Sequence, residues 1–377
     1  MKKVTSIVLN NFKNDSRVLK ESISLQNAGY KVQVVALHED PLEEYEQVQN
    51  ISVHRVKLKS RRWSKQKAVQ LLKYIELVYQ VVKQYQGSDI LHCNDLNALP
   101  IGVFIKKFFN RDAKVVYDAH EYETELNNLK GTQKKLATWL ERRLIKYVDS
   151  VITVSDAIAN EYVKLYDIEK PVLVLNTPPY KEIKKKNIFR ETLGIKENQI
   201  IFLYQGGLSK GRGIEILLET FKTIDNENAV IVFMGYGPLE SLIQATSKEY
   251  KNIYFHEAVA PDILLDYTSS ADFGFLFYEN TCLNHYYCSP NKMFEYLMAE
   301  IPVIVSNLYE MKRLVELNKI GTVAKENTLN GLKKAIEEAV ILDKNKLKEN
   351  IQKLKMIYNW EEQEKVLLEV YENLYAD

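Results

Sequence analysis

The feature that most constrains this chain is an alternation, kept up almost end to end, of short apolar runs with longer stretches of helical periodicity. Apolar runs at residues 4–9, 32–37, 51–56, 90–93, 115–117, 151–154 and 172–175 are separated by helical patterns at 16–28, 64–84, 96–109, 134–147 and 156–166. Short apolar runs bounded by polar turns read as buried strands, and strands alternating with helices read as a parallel sheet. The series breaks at Pro178-Pro179 and the polar stretch 181–186, then restarts at 200–204 and continues through 230–234, 253–255, 273–277, 303–305 and 322–324. The expected class is α/β, with two Rossmann-like parallel sheets wrapped in helices. The first domain is expected over residues 1–180 and the second over 181–356. Residues 357–377, opening on Tyr358-Asn359-Trp360, read as an amphipathic helix crossing back to the first domain.

A length of 377 residues suits two domains. No apolar run approaches the roughly 18 to 20 residues that span a bilayer, and Met1-Lys2-Lys3-Val4 leads straight into a strand rather than a leader's apolar core. The expectation is a cytoplasmic chain. Cys93, Cys282 and Cys288 have no metal-ligand spacing and are odd in number, so they read as reduced thiols. A net charge of +1 hides an asymmetry: residues 1–190 hold 32 Lys+Arg against 22 Asp+Glu, leaving 19 against 28 in the remainder. Within the basic half, Lys57-Leu58-Lys59-Ser60-Arg61-Arg62-Trp63-Ser64-Lys65-Gln66-Lys67 interleaves cations with an aromatic, a composition suited to an anionic lipid surface. Lys130, Lys134, Lys135, Arg142, Arg143 and Lys146 extend it, and docking at the inner face of the membrane is the expectation. A solvated charged loop would have the same composition. No groove-reading motif or base-stacking platform speaks for nucleic acid.

In open parallel sheets, ligands bind beyond the carboxyl ends of the strands, so the loops after strands carry the chemistry. Ser289-Pro290-Asn291-Lys292-Met293-Phe294-Glu295 opens a helix between two strands. A helix start offers N–H donors and a positive dipole end to an anion; Lys292 adds a cation, and Glu295 could hold two ribose hydroxyls. A capped helix with surface Lys and Glu is the duller alternative. Gln205-Gly206-Gly207-Leu208-Ser209-Lys210-Gly211-Arg212-Gly213 follows another strand, its glycines admitting a ligand to the backbone and Arg212 offering a fork for phosphate oxygens. Gly235-Tyr236-Gly237-Pro238 repeats the pattern, where a base or ribose could stack. Asp95 ends a strand at the ligand-binding edge of the sheet or caps a helix, Asp118 suits a turn cap, and Glu121 and Glu123 read as solvated. No GxGxxG fingerprint opens the first sheet, and no Asp-x-Asp pair is present to bridge a metal.

These loops, in this order, resemble the retaining glycosyltransferases of family 4, with the two-domain GT-B fold, in the branch with a Ser-Pro-Asn-Lys donor loop. The resemblance rests on Asn14-Asp15-Ser16-Arg17-Val18-Leu19, Ala28-Gly29-Tyr30-Lys31-Val32, Asp118-Ala119-His120-Glu121, Val154-Ser155, Asn176 and the three glycine and Ser-Pro-Asn-Lys loops. It implies a nucleotide-sugar donor, held mostly by the second domain, and a glycan or lipid-linked acceptor met by the first, in surface polysaccharide synthesis. Arg212 and Lys292 would then grip the diphosphate, Glu295 the ribose, and His120 would sit near the donor sugar. Asn14 and Asp15 fall where many members have a loop touching phosphate and acceptor, and Asp95 would lie on the acceptor side. Two positions depart from the pattern: Tyr287 replaces the first acid of the E-x7-E motif, and Gly207 replaces the first diphosphate Arg. Asn284 and His285 are the substitutes to consider for the sugar contact. The resemblance further implies retention of configuration by front-side attack, with no cofactor and no metal; uridine is the family's commonest base. A nucleotide-sugar epimerase or hydrolase of the same plan, or a non-catalytic nucleotide-sugar-binding partner of a transferase, are the rival readings.

Overall fold

Hydrophobic runs become strands here because both faces of each sheet are covered. In the computed structural model, which describes residues 1–226 and 228–376, the chain falls into two units: Met1–Val174 together with Glu364–Asp377, and Leu175–Gln363. In chain order the first unit contains β1 (Lys3–Ile7), α1 (Ser16–Asn27), β2 (Lys31–Leu37), β3 (Tyr45–Val48), β4 (Ile51–Val56), α2 (Lys67–Tyr85), β5 (Ile90–Asn94), α3 (Asp95–Phe108), β6 (Lys114–Ala119), α4 (Gly131–Leu144), β7 (Ser150–Thr153), α5 (Asp156–Tyr166) and β8 (Val172–Leu173). Their order across the sheet is β3-β4-β2-β1-β5-β6-β7-β8. Every pairing is parallel except β3 with β4. Strand β3 has no apolar run to betray it: it is an exposed edge, turned back by Gln49 and Asn50, both with positive φ (48° and 68°) as a tight two-residue hairpin requires.

The second unit begins with α6 (Ile188–Leu193) and β9 (Ile200–Gly207), followed by α7 (Ile214–Lys222), β10 (Ala229–Tyr236), α8 (Glu240–Glu249), β11 (Ile253–Glu257), α9 (Leu264–Thr268) and β12 (Phe273–Leu276). It continues with α10 (Leu283–Tyr287), α11 (Asn291–Met298), β13 (Val303–Ser306), α12 (Tyr309–Asn318), β14 (Gly321–Ala324), α13 (Leu329–Val340) and α14 (Lys344–Lys355). The all-parallel sheet runs β11-β10-β9-β12-β13-β14. Its two faces carry separate apolar clusters, one including Leu203, Val232, Met293 and Tyr296, the other Phe202, Phe233, Phe275 and Leu332. The last helix, α15 (Trp360–Asn373), starts in the second unit, and from Glu364 onward its residues belong to the first.

Strand order reverses between β1 and β5 in one sheet and between β9 and β12 in the other. Crossovers leave a sheet in opposite directions at such points and open a crevice beyond the strand ends. The loops that leave β1, β5, β9 and β12 are among those the sequence singles out, with the loops after β6 and β10 beside them. Among the described residues no helix is long and apolar enough to cross a membrane, and all three cysteines are free thiols.

Candidate functional site

In the second unit the site is built on the ends of β9 and β10, which lie close together because two glycines permit it. Gly235 pairs with Gly206, and a side-chain carbon at 235 would sit 1.9 Å from the Gly206 carbonyl oxygen. Gly206 has φ 104°, and Gly213, at 71°, would place a side-chain carbon 2.0 Å from the Phe277 carbonyl oxygen. Both Gly206 and Gly207 are exposed with open space above them, so this backbone is accessible to a ligand. Gly237 (φ 151°) turns the chain after β10, leaving the Tyr236 ring 68% exposed beside it.

Beyond β12 the chain forms α10, capped by the Cys282 sulfur, and then α11, which starts at Pro290 with no side-chain cap. Lys292 lies on the first turn of α11, only 6% exposed, and its Nζ has no hydrogen-bond partner among the described residues. It rests 3.8 Å from the centre of the Tyr204 ring and 5.4 Å from that of Tyr278. Arg212, half-buried, donates from Nη1 to the Tyr278 hydroxyl at 2.8 Å and lies 5.4 Å from the same ring. Two cations therefore share one tyrosine. Burial, and then the charge of Arg212, push Lys292 down to about 7, against the opposing pull of Glu295 and Cys288. A buried cation without an anion is costly, and here it stands on the first turn of an uncapped helix, where the N–H groups and dipole also favour negative charge.

Glu295, one turn on, accepts from Gln205 Nε2 at 2.5 Å, while Gln205 Oε1 accepts from Thr268 at 2.8 Å. Tyr296 locks the same helix to the sheet: its hydroxyl accepts from Gln205 N (3.1 Å) and lies 3.1 Å from the Leu203 and 3.3 Å from the Phe275 carbonyl oxygens. The orientation of Glu295 thus depends on Gln205 and Thr268: Gln205 opens the glycine loop singled out in the sequence, without a role of its own there, and Thr268 lies in none of those loops. Ser289 is buried, Pro290 partly so and Asn291 exposed. Asn284 is buried on α10, while the His285 Nδ1 lies 3.0 Å from the Glu279 carbonyl oxygen and 3.1 Å from the Thr281 hydroxyl. Tyr287, at the missing acid's position, packs its ring against Tyr286 and Tyr309 at 5.1 and 5.7 Å.

In the first unit, His120 follows β6 and is held by two acids. Its Nε2 lies 3.1 Å from Asp118 Oδ2, and its Nδ1 3.5 Å from Asp95 Oδ1. Burial opposes a charge on the ring, but Asp118 and Asp95 outweigh it and raise His120 to about 10. Asp118 is no turn cap: it is fully buried and receives Arg17 Nε at 3.0 Å and Nη2 at 2.8 Å. Nor is Glu123 solvated. It is buried, accepts from Leu96 N at 3.2 Å, and burial followed by the Asp95 charge lifts it well above the usual carboxylate range. Asp95 itself has φ 65° at the start of α3. Asp15 caps α1 through Val18 N and accepts from Asn10 Nδ2 at 2.7 Å, with Asn14 exposed next to it.

Behind His120 the network deepens. Arg17 Nε is 3.1 Å from Glu21, and His92 Nε2 lies 3.5 Å from both Glu21 and Asp118, its Nδ1 2.6 Å from the Tyr371 hydroxyl of α15. Burial drives Glu21 up to about 7 despite Arg17. Glu21, His92 and Asp118 form the group of potential metal ligands among the described residues, their ligand atoms within 4.8 Å of one another. The Arg17 guanidinium already binds both Asp118 oxygens and meets Glu21, so it fills the place a cation would take. A cavity of about 730 Å³ lies apart from these residues along β14; Lys312, Lys319, Lys325 and Lys346 line it with Glu316, Glu338 and Asp343, a mixed-sign wall that favours no one ligand charge.

Residues 17–178 match the family described as Glycosyltransferase Family 4, and residues 184–355 match Glycosyl transferases group 1. An uncharacterized glycosyltransferase of Methanocaldococcus jannaschii is 25% identical over 232 residues, which are 57% of this chain and 57% of that protein. The chain therefore spans little more than half the length of that relative. Among solved structures, the whole chain matches 99% of sucrose-phosphate synthase from Thermosynechococcus elongatus with a TM-score of 0.79 at 16% identity. In the same way 99% of it matches all of HepE from Anabaena in complex with UDP-glucose, with a TM-score of 0.74 at 15% identity. At such identities the likeness is one of fold. With its two family domains in this order and this fold, the chain belongs to the glycosyltransferases of the GT-B type.

Proposed function

We propose that this protein moves a hexose-type residue from a nucleotide-diphosphate donor to a glycan or lipid-linked glycan acceptor, with retention of configuration and without a metal. The observation that carries this reading is the buried, unpartnered Nζ of Lys292 beside Arg212 on the first turn of α11. Such a constellation suits a diphosphate, because the ligand's charge relieves a desolvated cation. Glu295, aimed by Gln205, suits the ribose hydroxyls, and the open backbone at Gly206 and Gly207 suits close approach. The UDP-glucose bound by HepE is the reason to favour uridine.

In the reaction, the acceptor oxygen bonds to the anomeric carbon on the face from which the diphosphate oxygen departs. The acceptor's proton passes to the leaving phosphate, whose growing charge meets Arg212, Lys292 and the α11 N-terminus. His120, held as an imidazolium, is a hydrogen-bond donor that positions; it is neither nucleophile nor base.

The test is a thermal-shift panel of nucleoside diphosphates and nucleotide-sugars, with and without chelator. A ligand at about 100 times its Kd stabilises by about 2.7 kcal/mol. A chelator-insensitive shift with one nucleotide, weakened by about 1 to 3 kcal/mol in Glu295→Ala, is the expected result. No shift with any nucleotide would remove Arg212, Lys292 and Glu295 as a donor site.

A further inference from the structure

We propose that the exposed apolar stripe of α2, together with the basic segment leading into it, is a docking surface for an anionic lipid bilayer, into which the stripe inserts. Helix α2 buries Leu77, Val81, Val82 and Tyr85, all in its C-terminal half. Its outer side turns Leu71, Leu72, Ile75 and Tyr79 to solvent, each between 52% and 66% exposed. Spacings of three and four residues put these side chains on one face, so the helix is amphipathic twice over: one apolar stripe faces the fold and another faces out. Trp63, 56% exposed, stands just before the helix.

This surface is built rather than loose. Lys73 of α2 donates from Nζ to the carbonyl oxygens of Arg61 (3.1 Å) and Trp63 (2.9 Å), pinning the basic segment to the helix. Residues 57–83 hold eight Lys and Arg and one acid, Glu76. That acid is taken up by the backbone N–H groups of Lys59 and Ser60 and by the Ser60 hydroxyl. Helix α4, which like α2 packs against α3, repeats the pattern with Leu136 and Trp139 at 63% and 57% exposure beside the exposed Arg142 and Arg143. Its one acid, Glu141, is buried beneath the hydroxyls of Tyr117, Tyr162 and Tyr166.

Charge decides the occupant. Lys57 and Arg62 meet Glu44 and Asp40 from outside the segment, and the remaining cations leave the face net positive; a second copy of the chain would bring two such surfaces together, whereas an anionic bilayer accepts the cations at its headgroups and the apolar stripe at its acyl boundary. Because no described helix is long and apolar enough to cross a membrane, α2 lies in the plane of the interface.

The full chain is floated with phosphatidylcholine vesicles containing or lacking phosphatidylglycerol, at low and high salt, beside two variants. We expect flotation only with anionic vesicles, accompanied by a blue shift in tryptophan emission from Trp63 and Trp139, since Trp360 is 7% exposed and already shielded. Arg61→Ser, Arg62→Ser, Lys65→Ser together should lower the partition coefficient on the order of a hundredfold. Leu72→Ser, Ile75→Ser, Tyr79→Ser together should retain low-salt binding and lose the salt-resistant fraction. All six positions are exposed, so unchanged melting temperatures are expected to accompany these losses. The proposal is overturned if the wild-type chain stays in the buffer at low salt, if both variants float as it does, or if it dimerises in a way the apolar variant abolishes.

Discussion

Lys292 is the residue whose chemistry reaches furthest. Its folded value of about 7 lies below the ordinary 10.5, so between these limits the unfolded chain binds the proton and the native one does not. Stability from this group therefore rises with pH across that window and is diminished below about 7, where the buried amine must charge. A diphosphate bound as proposed above would reverse the preference: its charge would favour the ammonium form, and a proton would be taken up. For UDP-glucose we expect the Kd to rise by up to tenfold per pH unit above about 7, with calorimetric heats that depend on buffer ionisation. Lys292→Met should flatten both, and a wild-type Kd constant from pH 6 to 8.5 would show that the amine is not titrated by the donor. Lys292, Arg212 and Glu295 were legible in the sequence because each sits inside a short contiguous motif. The pairing behind Glu295 was not, since Thr268 and Gln205 stand 63 residues apart, and in the first unit His92 meets Tyr371 across 279. Nothing in local spacing encodes such pairings. Arg17 was visible as part of a motif, but its bond to Asp118 spans 101 residues, so its role emerged only from the fold.

Among the elements, α11 does most to define the candidate site, and beside its apolar packing and the Glu295–Gln205 bond it is tied to the sheet by one hydroxyl, that of Tyr296, reaching three backbone atoms of β9 and β12. The fit is close: a side-chain carbon at Gly274 would meet the Tyr296 ring at 2.5 Å. Tyr296→Phe leaves the ring and removes the hydroxyl, orphaning buried backbone groups. We expect a loss of about 1 to 3 kcal/mol in unfolding free energy, together with weaker nucleotide binding as Glu295 and Lys292 lose their fixed position. Unaltered nucleotide affinity at reduced stability would confine Tyr296 to the core. The strands were readable where both faces are buried, as in β5 and β10, since continuous apolar runs leave little choice. Strand β3 was not, because an exposed edge of Tyr45, Glu46, Gln47 and Val48 carries no burial signal. Likewise α10 hides within a loop sequence, being five residues long.

At the scale of the whole molecule, the first unit is completed by residues from the far end of the sequence. Tyr371 is fully buried there, its hydroxyl on His92 and its ring 5.4 Å from that of Tyr30. Tyr371→Ala should cost about 3 to 5 kcal/mol, a large part of a domain's usual 5 to 15. Differential scanning calorimetry should show it as a lowered transition, and a trace matching the wild type would argue that α15 is dispensable. The discontinuity has a consequence for synthesis. Residues 175–363 form an unbroken stretch that has everything it needs once it clears the ribosome, whereas residues 1–174 emerge first and must wait, with His92 and its charged neighbours uncovered, until residue 364 and those after it are made. The half translated first is thus the half finished last, and its nascent sheet is the natural client for a chaperone during elongation.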